Sequence, residues 1–199
     1  ARISITDLSG KFCAPVNSWI QADDALYPGQ HRFEYHYFYS NGNTEVYVPM
    51  ERLLISASHG PETEISKLNL DASKIMNQPS VVTIKSFPVP ADYGKWQSAD
   101  LHVHMNYGGN YLNNPDNLLK QASAENLIYV FNLIVNKEQR IPDVSWFSEI
   151  SRVSPDKKSM LFHAQEYHTS FWGHLGLLNL TDHFMLPDYS GYPYTAAAS

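Results

Sequence analysis

The segment Asp100-Leu101-His102-Val103-His104 has the residue types and spacing of half a metal site. In a β-strand, residues i and i+2 project from the same face, so both imidazoles can reach one metal ion or two adjacent ones. The turn-rich residues 105–110 suit a strand that runs into a loop at the end of a sheet, where α/β enzymes keep their chemistry. An isolated H-x-H motif is as often structural, so a metal site needs support from a second group of ligands.

Residues 162–174 supply such a group, because they hold one carboxylate and three imidazoles directly after a predicted strand. Glu166 could bridge two cations through its two oxygens, and His174 could close the site from the next strand. His168 shares the face of Glu166 if the strand continues, and it is a candidate ligand, supporting group or substrate contact. His163 falls on the opposite face, which favours a structural role.

Composition and charge limit the class of protein. A chain of 199 residues with 43% hydrophobic and 13% aromatic residues can form a core, in one large domain or two small ones. The net charge of -6 and the lack of any Lys/Arg cluster argue against a nucleic-acid partner. The single Cys13 excludes an internal disulfide.

Two features of the chain bear on membranes and compartment. No run of about 18 apolar residues is present, so no transmembrane helix is expected. The start at Ala1, without an initiator Met or a signal-like apolar region, looks processed. This favours a secreted or periplasmic protein while leaving the compartment open.

Residues 1–92 read as an antiparallel β-domain, because short alternating runs are separated by turn signals. The expected strands are residues 2–6, 18–21, 33–39, 45–48, 53–57 and 81–86. Recurrent turns, such as the one at Ser9-Gly10, have the spacing expected of a β-sandwich.

From Trp96 the pattern changes to strand, helix, strand. Asn114, Pro115 and Asp116 form a helix start, and the apolar stripe that follows predicts a helix to about residue 125. The apolar run 127–135 suits a central strand, so residues 96–135 predict a βαβ unit with parallel strands. Further strands are expected at 160–165 and 174–180, and a short helix at 143–150. The predicted fold is therefore α+β with two domains.

Four longer motifs in this second half resemble a known family. They are D-L-H-V-H-M-N-Y-G-G at 100–109, N-L-I-V-N-K-E-Q-R-I-P-D at 132–143, Q-E-Y-H-T-S-F-W-G-H-L-G-L-L at 165–178 and L-P-D-Y-S-G-Y-P at 186–193. Residues 96–199 resemble the polymerase and histidinol phosphatase (PHP) superfamily of metal-dependent hydrolases, in particular its carbaryl-hydrolase-like branch. The small β-domain resembles one that often precedes the hydrolase domain in such proteins.

The resemblance implies the first part of a distorted β/α barrel with metals at the carboxyl ends of its strands. It implies that His102 and His104 bind one ion, that Glu166 bridges and that His174 serves a neighbouring ion, with two or three divalent ions of Zn, Mn or Fe in the complete site. The implied activity is hydrolysis of an ester, carbamate or phosphoester bond of a small molecule by a metal-activated water.

The chain departs from the family pattern at two places. Where the superfamily commonly has an Asp-His pair, this chain has Asn136-Lys137. Lys137 is a candidate for electrostatic stabilisation of an anionic intermediate, and a strand-end salt bridge is an equal alternative. The chain also stops at Ser199, before the further strands of the family. We therefore expect a natural fragment, a cleaved piece or a truncated chain, completed by a second polypeptide or by homo-oligomerisation.

Two other classes of function are open from the sequence. Tyr35, Tyr37, Tyr39 and Trp19 give the β-domain aromatic material for a carbohydrate- or protein-binding surface, beside a hydrolase domain that has lost function. Alternatively, the chain is a structural subunit whose sheet edges are completed by a partner.

Overall fold

The computed structural model describes residues 1–23, 35–75, 78–106, 113–135, 143–147, 150–169 and 173–182. Contacts within the chain divide it into two compact units, residues 1–95 with 124–126 and residues 96–123 with 127–199. The described residues form a mixed α+β structure with two five-stranded sheets and few helices. None of the helices in the described ranges has the length and apolar character needed to cross a membrane.

The N-terminal unit is built on one antiparallel sheet in the order β2-β3-β1-β4-β5. Its elements are β1 (Arg2–Asp7), β2 (Ile20–Asp23), β3 (Tyr35–Tyr39), β4 (Arg52–Ser58), β5 (Ser66–Asp71), α1 (Ala72–Ile75) and a 3-10 turn (Ala91–Tyr93). Alternation along the strands directs Phe38, Leu53 and Ile55 into a core on one face of the sheet. Phe38 is completely buried there.

The described residues of this unit correct three sequence expectations. They form a single sheet rather than the two facing sheets of a sandwich. Residues 45–48 and 81–86 do not form strands, because Val46, Val48 and Val82 pack on the core while their backbone stays outside the ladder. The strand at Ser66–Asp71 was not expected, since its sequence S-K-L-N-L-D mixes polar and apolar residues as an edge strand does.

The C-terminal unit is built on a mixed sheet whose parallel core positions the candidate ligands. Its elements are β6 (Ala99–Val103), α2 (Pro115–Ala124), β7 (Tyr129–Val135), β8 (Arg152–Val153), β9 (Met160–Thr169) and β10 (Gly173–Leu177). The order is β10-β9-β7-β6, with β8 beside β9. The β6–β7 and β7–β9 pairs are parallel, whereas β10 and β8 pair antiparallel with β9. The carboxyl ends of β6, β7 and β9 therefore meet at one edge.

Helix α2 forms where the sequence predicts it. The Asn114 side chain accepts a hydrogen bond from the amide of Asn117 and so caps the first turn, with Pro115 at the first helical position. The helix ends at Ala124. Asn126, just beyond it, has a positive φ of 53°, and the Leu127 amide donates to the Ala122 carbonyl as in a Schellman motif.

The apolar stripe of α2 covers one face of the sheet. Leu118, Leu119 and Ala122 pack with Val130 of β7 and Leu161 of β9. The helix therefore fixes the parallel pair β7–β9 from one side, and the predicted parallel βαβ unit is confirmed.

The remaining elements of this unit differ from expectation in their extent. Residues 143–146 form a 3-10 turn instead of a helix to residue 150. Strand β9 continues to Thr169, and β10 ends at Leu177. Among the described strands, β10 and β6 are sheet edges, so the expected barrel remains a hypothesis.

Truncating Leu161 to alanine tests the core under β7–β9. Leu161 is fully buried, so Leu161→Ala should lower the free energy of unfolding by about 2–5 kcal/mol through lost burial and a residual cavity. Leu101→Ala, at a residue that is 51% exposed on β6, should change it by no more than about 0.5 kcal/mol. Urea unfolding of both variants measures this, and equal losses would contradict the packing described.

Candidate metal centre

The candidate ligands lie on β6 and β9, the two strands that flank β7, at the edge where the parallel strands end. His102 and His104 come from the end of β6, and Glu166 from the second half of β9. Glu166 pairs with Val135, the last residue of β7, and with Gly176 of β10. Parallel pairing therefore collects residues that are far apart in sequence.

A β-bulge directs the two histidines. Asp100 pairs with Val130, and Val103 pairs with Asn132. Between these two pairs β6 therefore contains one more residue than β7. The Asp100 side chain accepts a hydrogen bond from the His102 amide at 3.1 Å and so pairs a backbone group within the bulge. Val103 then packs against the core, and its two histidine neighbours project to the opposite face.

Three donor atoms converge on that face. The distances are 3.1 Å between the Nε2 atoms of His102 and His104, 2.9 Å from His104 Nε2 to Glu166 Oε2 and 3.4 Å from His102 Nε2 to the same oxygen. A tetrahedral ion with bonds of about 2.0–2.1 Å has ligand-to-ligand edges of about 3.3 Å. The three atoms thus have the mutual spacing of ligands on one ion.

The backbone of β7 fixes the tautomer of His104. Its Nδ1 lies 2.9 Å from the Leu133 carbonyl oxygen, which can only accept, so Nδ1 carries a proton and donates. In the neutral ring, Nε2 then presents a lone pair to the Glu166 carboxylate. Two lone pairs at 2.9 Å repel each other unless a proton or a metal ion lies between them. In known metal sites, a ligating histidine usually donates a hydrogen bond through its other ring nitrogen in the same way.

Glu166 presents its other oxygen to a separate partner. Oε1 lies 2.6 Å from His174 Nδ1, whereas Oε2 contacts the two β6 histidines. The side chain of Glu166 is 3% exposed, while those of His102 and His174 are about half exposed, at 56% and 49%. A buried carboxylate thus lies beneath imidazoles that solvent and small molecules can reach.

The residues present fit a divalent metal ion. His102, His104 and Glu166 each offer one ligand atom, and these atoms all lie within 4.8 Å of one another. Imidazole nitrogen together with carboxylate oxygen is a ligand set used for Zn, Fe and Mn. This group could therefore hold a metal ion.

A buried polar pair, Asn132 and His163, lies on the other face of the sheet, the face that packs against α2. Asn132 accepts a hydrogen bond from the Met105 amide at 2.9 Å and donates to His163 Nδ1 at 3.2 Å. Both side chains are buried, at 1% and 4% exposed. Sequence reasoning missed Asn132, although a single amide inside an otherwise apolar central strand signals a required partner.

Asparagines also hold the chain that leaves the site. The Asn106 amide donates to Asp143 Oδ1 and to the Asn113 carbonyl, and Asn106 Oδ1 accepts from the Asn113 amide. Burial raises the pKa of Asp143, and the hydrogen bond from Asn106 opposes that rise. These bonds tie the chain after His104 to the start of α2.

The structure brings four of the six predicted site residues together, namely His102, His104, Glu166 and His174. Lys137 lies outside the described residues. His168 lies on β9 in register with His174, and its side chain is outside the described part of the structure. The suggested roles of these two residues stay predictions.

Comparisons of the chain with protein-family models, curated proteins and solved structures gave no match, so they assign it to no family. The evidence for chemistry is therefore the geometry of the site itself.

Removing the anionic oxygen of Glu166 tests the metal centre. The wild-type chain should bind at least one divalent ion, whereas Glu166→Gln should weaken Zn²⁺ binding at least about 100-fold because the neutral amide is a poor ligand. The variant should still fold, since its amide can donate to His104 Nε2. Calorimetric titration with Zn²⁺ and metal analysis after dialysis measure this. Glu64→Gln, at an exposed carboxylate outside the site, is the control. Unchanged binding in Glu166→Gln would contradict the assignment.

His163 should make stability depend on pH. Burial, and secondarily the charge of Arg152, lower its pKa from 6.5 to about 4. The unfolded chain therefore binds more protons between these values, so native stability is full above pH 6.5 and falls as the pH drops towards 4. A shift of this size corresponds to about 3 kcal/mol. In metal-free protein, His163→Gln should remove this part of the slope.

Urea unfolding at pH 4.5 and 7.5 measures the effect. The wild-type chain and His163→Gln share all other histidines, so the difference between their slopes isolates this residue. Parallel slopes would show that His163 titrates normally in the folded chain.

Proposed function

We propose that this chain carries a metal-dependent hydrolase site of the PHP type, in its carbaryl-hydrolase-like form. The observation that carries the proposal is the convergence of His102 Nε2, His104 Nε2 and Glu166 Oε2 at separations of 2.9–3.4 Å. The motifs that resemble the superfamily contain these same residues. The proposal includes the barrel, of which β6, β7 and β9 would be the first parallel strands.

The four clustered residues divide into two ligand sets in this proposal. His102, His104 and Glu166 Oε2 would hold one ion. Glu166 Oε1, with His174 beside it at 2.6 Å, would serve a second ion. Two or three ions of Zn, Mn or Fe would fill the complete site. The separate partners of the two carboxylate oxygens support this division.

A bound divalent ion would supply a Lewis acid that acidifies a water molecule and stabilises negative charge on the substrate oxygen. The surrounding residues of the chain orient the side chains that would bind the ion. His104 is fixed through the Leu133 carbonyl, and burial of Glu166 keeps its carboxylate away from competing water. The half-exposed rings of His102 and His174 leave the substrate an approach from solvent.

Lys137 and His168 complete the proposed machinery. Strand β7 ends at Val135 beside Glu166, and Lys137 follows two residues later in the sequence. Its cation would stabilise an anionic intermediate. His168 follows Glu166 by two residues on β9, and its proposed role is a substrate contact or a proton transfer. The proposed substrates are small molecules with an ester, carbamate or phosphoester bond.

A panel of chromogenic substrates tests the activity. An aryl ester, an aryl carbamate and aryl phosphate mono- and diesters are incubated with protein loaded with Zn²⁺, Mn²⁺ or Fe²⁺. At least one class should turn over, and His104→Ala should reduce kcat/KM by at least about 100-fold because a ligand is lost. Removal of the metal with a chelator should abolish activity, and its return should restore it.

His36→Gln, at a histidine in the N-terminal sheet, is the matched control and should leave kcat/KM unchanged. Stoichiometric metal without turnover of any substrate class would contradict the hydrolase and favour a metal-binding module. Turnover that persists in His104→Ala would place the chemistry elsewhere in the chain.

A further inference from the structure

Asn132 is a polar side chain in a place that normally excludes one. It lies in the middle of β7, is 1% exposed and follows Val130 on the face that packs against α2. A buried amide is costly unless both of its ends are paired. Here both are paired, by the Met105 amide and by His163 Nδ1.

The bond to Met105 extends the pairing between β6 and β7 beyond the end of β6. Regular register stops at Val103 opposite Asn132. Two residues later the Met105 amide meets the Asn132 side-chain oxygen at 2.9 Å instead of a backbone carbonyl. The side chain therefore holds the chain at the point where it would otherwise leave the sheet.

The neighbouring residue of β7 holds the histidine itself. Leu133 accepts from His104 Nδ1, while Asn132 accepts from the amide directly after His104. Two consecutive residues of one strand thus fix the ring and the backbone of His104. These two contacts determine where His104 Nε2 lies relative to Glu166 Oε2.

His163 orients the asparagine. Since Asn132 Oδ1 accepts from Met105, its amide nitrogen faces His163 and donates to Nδ1. The Asn132–His163 pair joins β7 to β9, the strand that carries Glu166. One buried hydrogen-bonded chain therefore links the backbone beside His104 to the strand of the carboxylate.

We infer that Asn132 is a positioning residue of the metal centre, which sets the separation of His104 Nε2 from Glu166 Oε2 by holding the Met105 amide. This inference rests on the proposed function, because it requires that these atoms bind a metal. Groups that orient metal ligands contribute about 10–100-fold to metal affinity. Asn132 contacts neither metal nor substrate, so its effect must pass through His104.

The test measures metal affinity and ligand geometry in the full chain. Asn132→Leu removes the acceptor while keeping the number and branching of heavy atoms, and it should weaken Zn²⁺ binding about 10–100-fold in competition with a chromophoric chelator. The visible spectrum of the Co²⁺-loaded variant should also change, since it reports ligand geometry. Asn132→Asp keeps an oxygen for Met105, and His163 in its Nδ1–H tautomer can donate to the other oxygen, so this variant should retain most of the affinity.

Val130→Ala is the matched control. Val130 lies on the same strand and face and is 1% exposed, so its truncation disturbs the same core without touching the Met105 amide. It should lower stability but leave the Zn²⁺ affinity of the folded chain within about threefold. If Asn132→Leu does not fold, Asn132→Ala takes its place in the same comparison.

The outcomes separate this inference from the proposed function. Tight Zn²⁺ binding by the wild-type chain and equal affinity in Asn132→Leu and Val130→Ala would overturn the positioning role alone. Absence of Zn²⁺ binding by the wild-type chain would overturn the metal centre and the inference with it. Loss of affinity in Asn132→Leu, with an altered Co²⁺ spectrum and rescue by Asn132→Asp, supports both.

Discussion

The C-terminal unit depends on the electrostatics of one buried carboxylate. Glu166 lies in the mixed sheet with a side chain that is 3% exposed, where an unpaired negative charge would be strongly unfavourable. Imidazole nitrogens of His102, His104 and His174 surround its two oxygens. Because His104 donates through Nδ1 to Leu133, the contact between its other nitrogen and the carboxylate is stabilising when a proton or a metal ion lies between the two atoms. Positive charge is therefore an integral part of this arrangement.

The backbone geometry follows from the need to bring these groups together. Parallel pairing of β6, β7 and β9 places their carboxyl ends side by side, and the bulge in β6 turns both histidines away from the core. Each deviation from regular pairing has a side-chain partner. Asp100 accepts from the His102 amide in the bulge, and Asn132 accepts from the Met105 amide beyond the strand end. The irregular part of β6 is thus held by hydrogen bonds on both sides of His104.

The sequence predicted the local structure of the C-terminal unit better than that of the N-terminal one. Helix α2 has two strong local signals, the cap at Asn114 and the apolar stripe from Leu118 to Ala122. Together they were sufficient to predict the helix. In the N-terminal unit, Val46, Val48 and Val82 read as strand residues because they are β-branched and apolar. They do pack on the core, but strand formation requires backbone pairing, which no local pattern encodes.

At the candidate site, too, the sequence indicated the residue types but not their spatial arrangement. The spacing of His102 and His104 and the carboxylate at Glu166 identified the candidate ligand atoms, because the capacity to bind a metal depends on residue type. The bulge could not be predicted, since it arises from the register between β6 and β7. The structural role predicted for His163 is confirmed, but its partner Asn132 was missed for a related reason: each is costly alone in a buried strand and becomes favourable opposite the other. A lone polar residue in an apolar strand therefore indicates that a partner exists, and the fold alone shows that the partner here is the strand that carries Glu166.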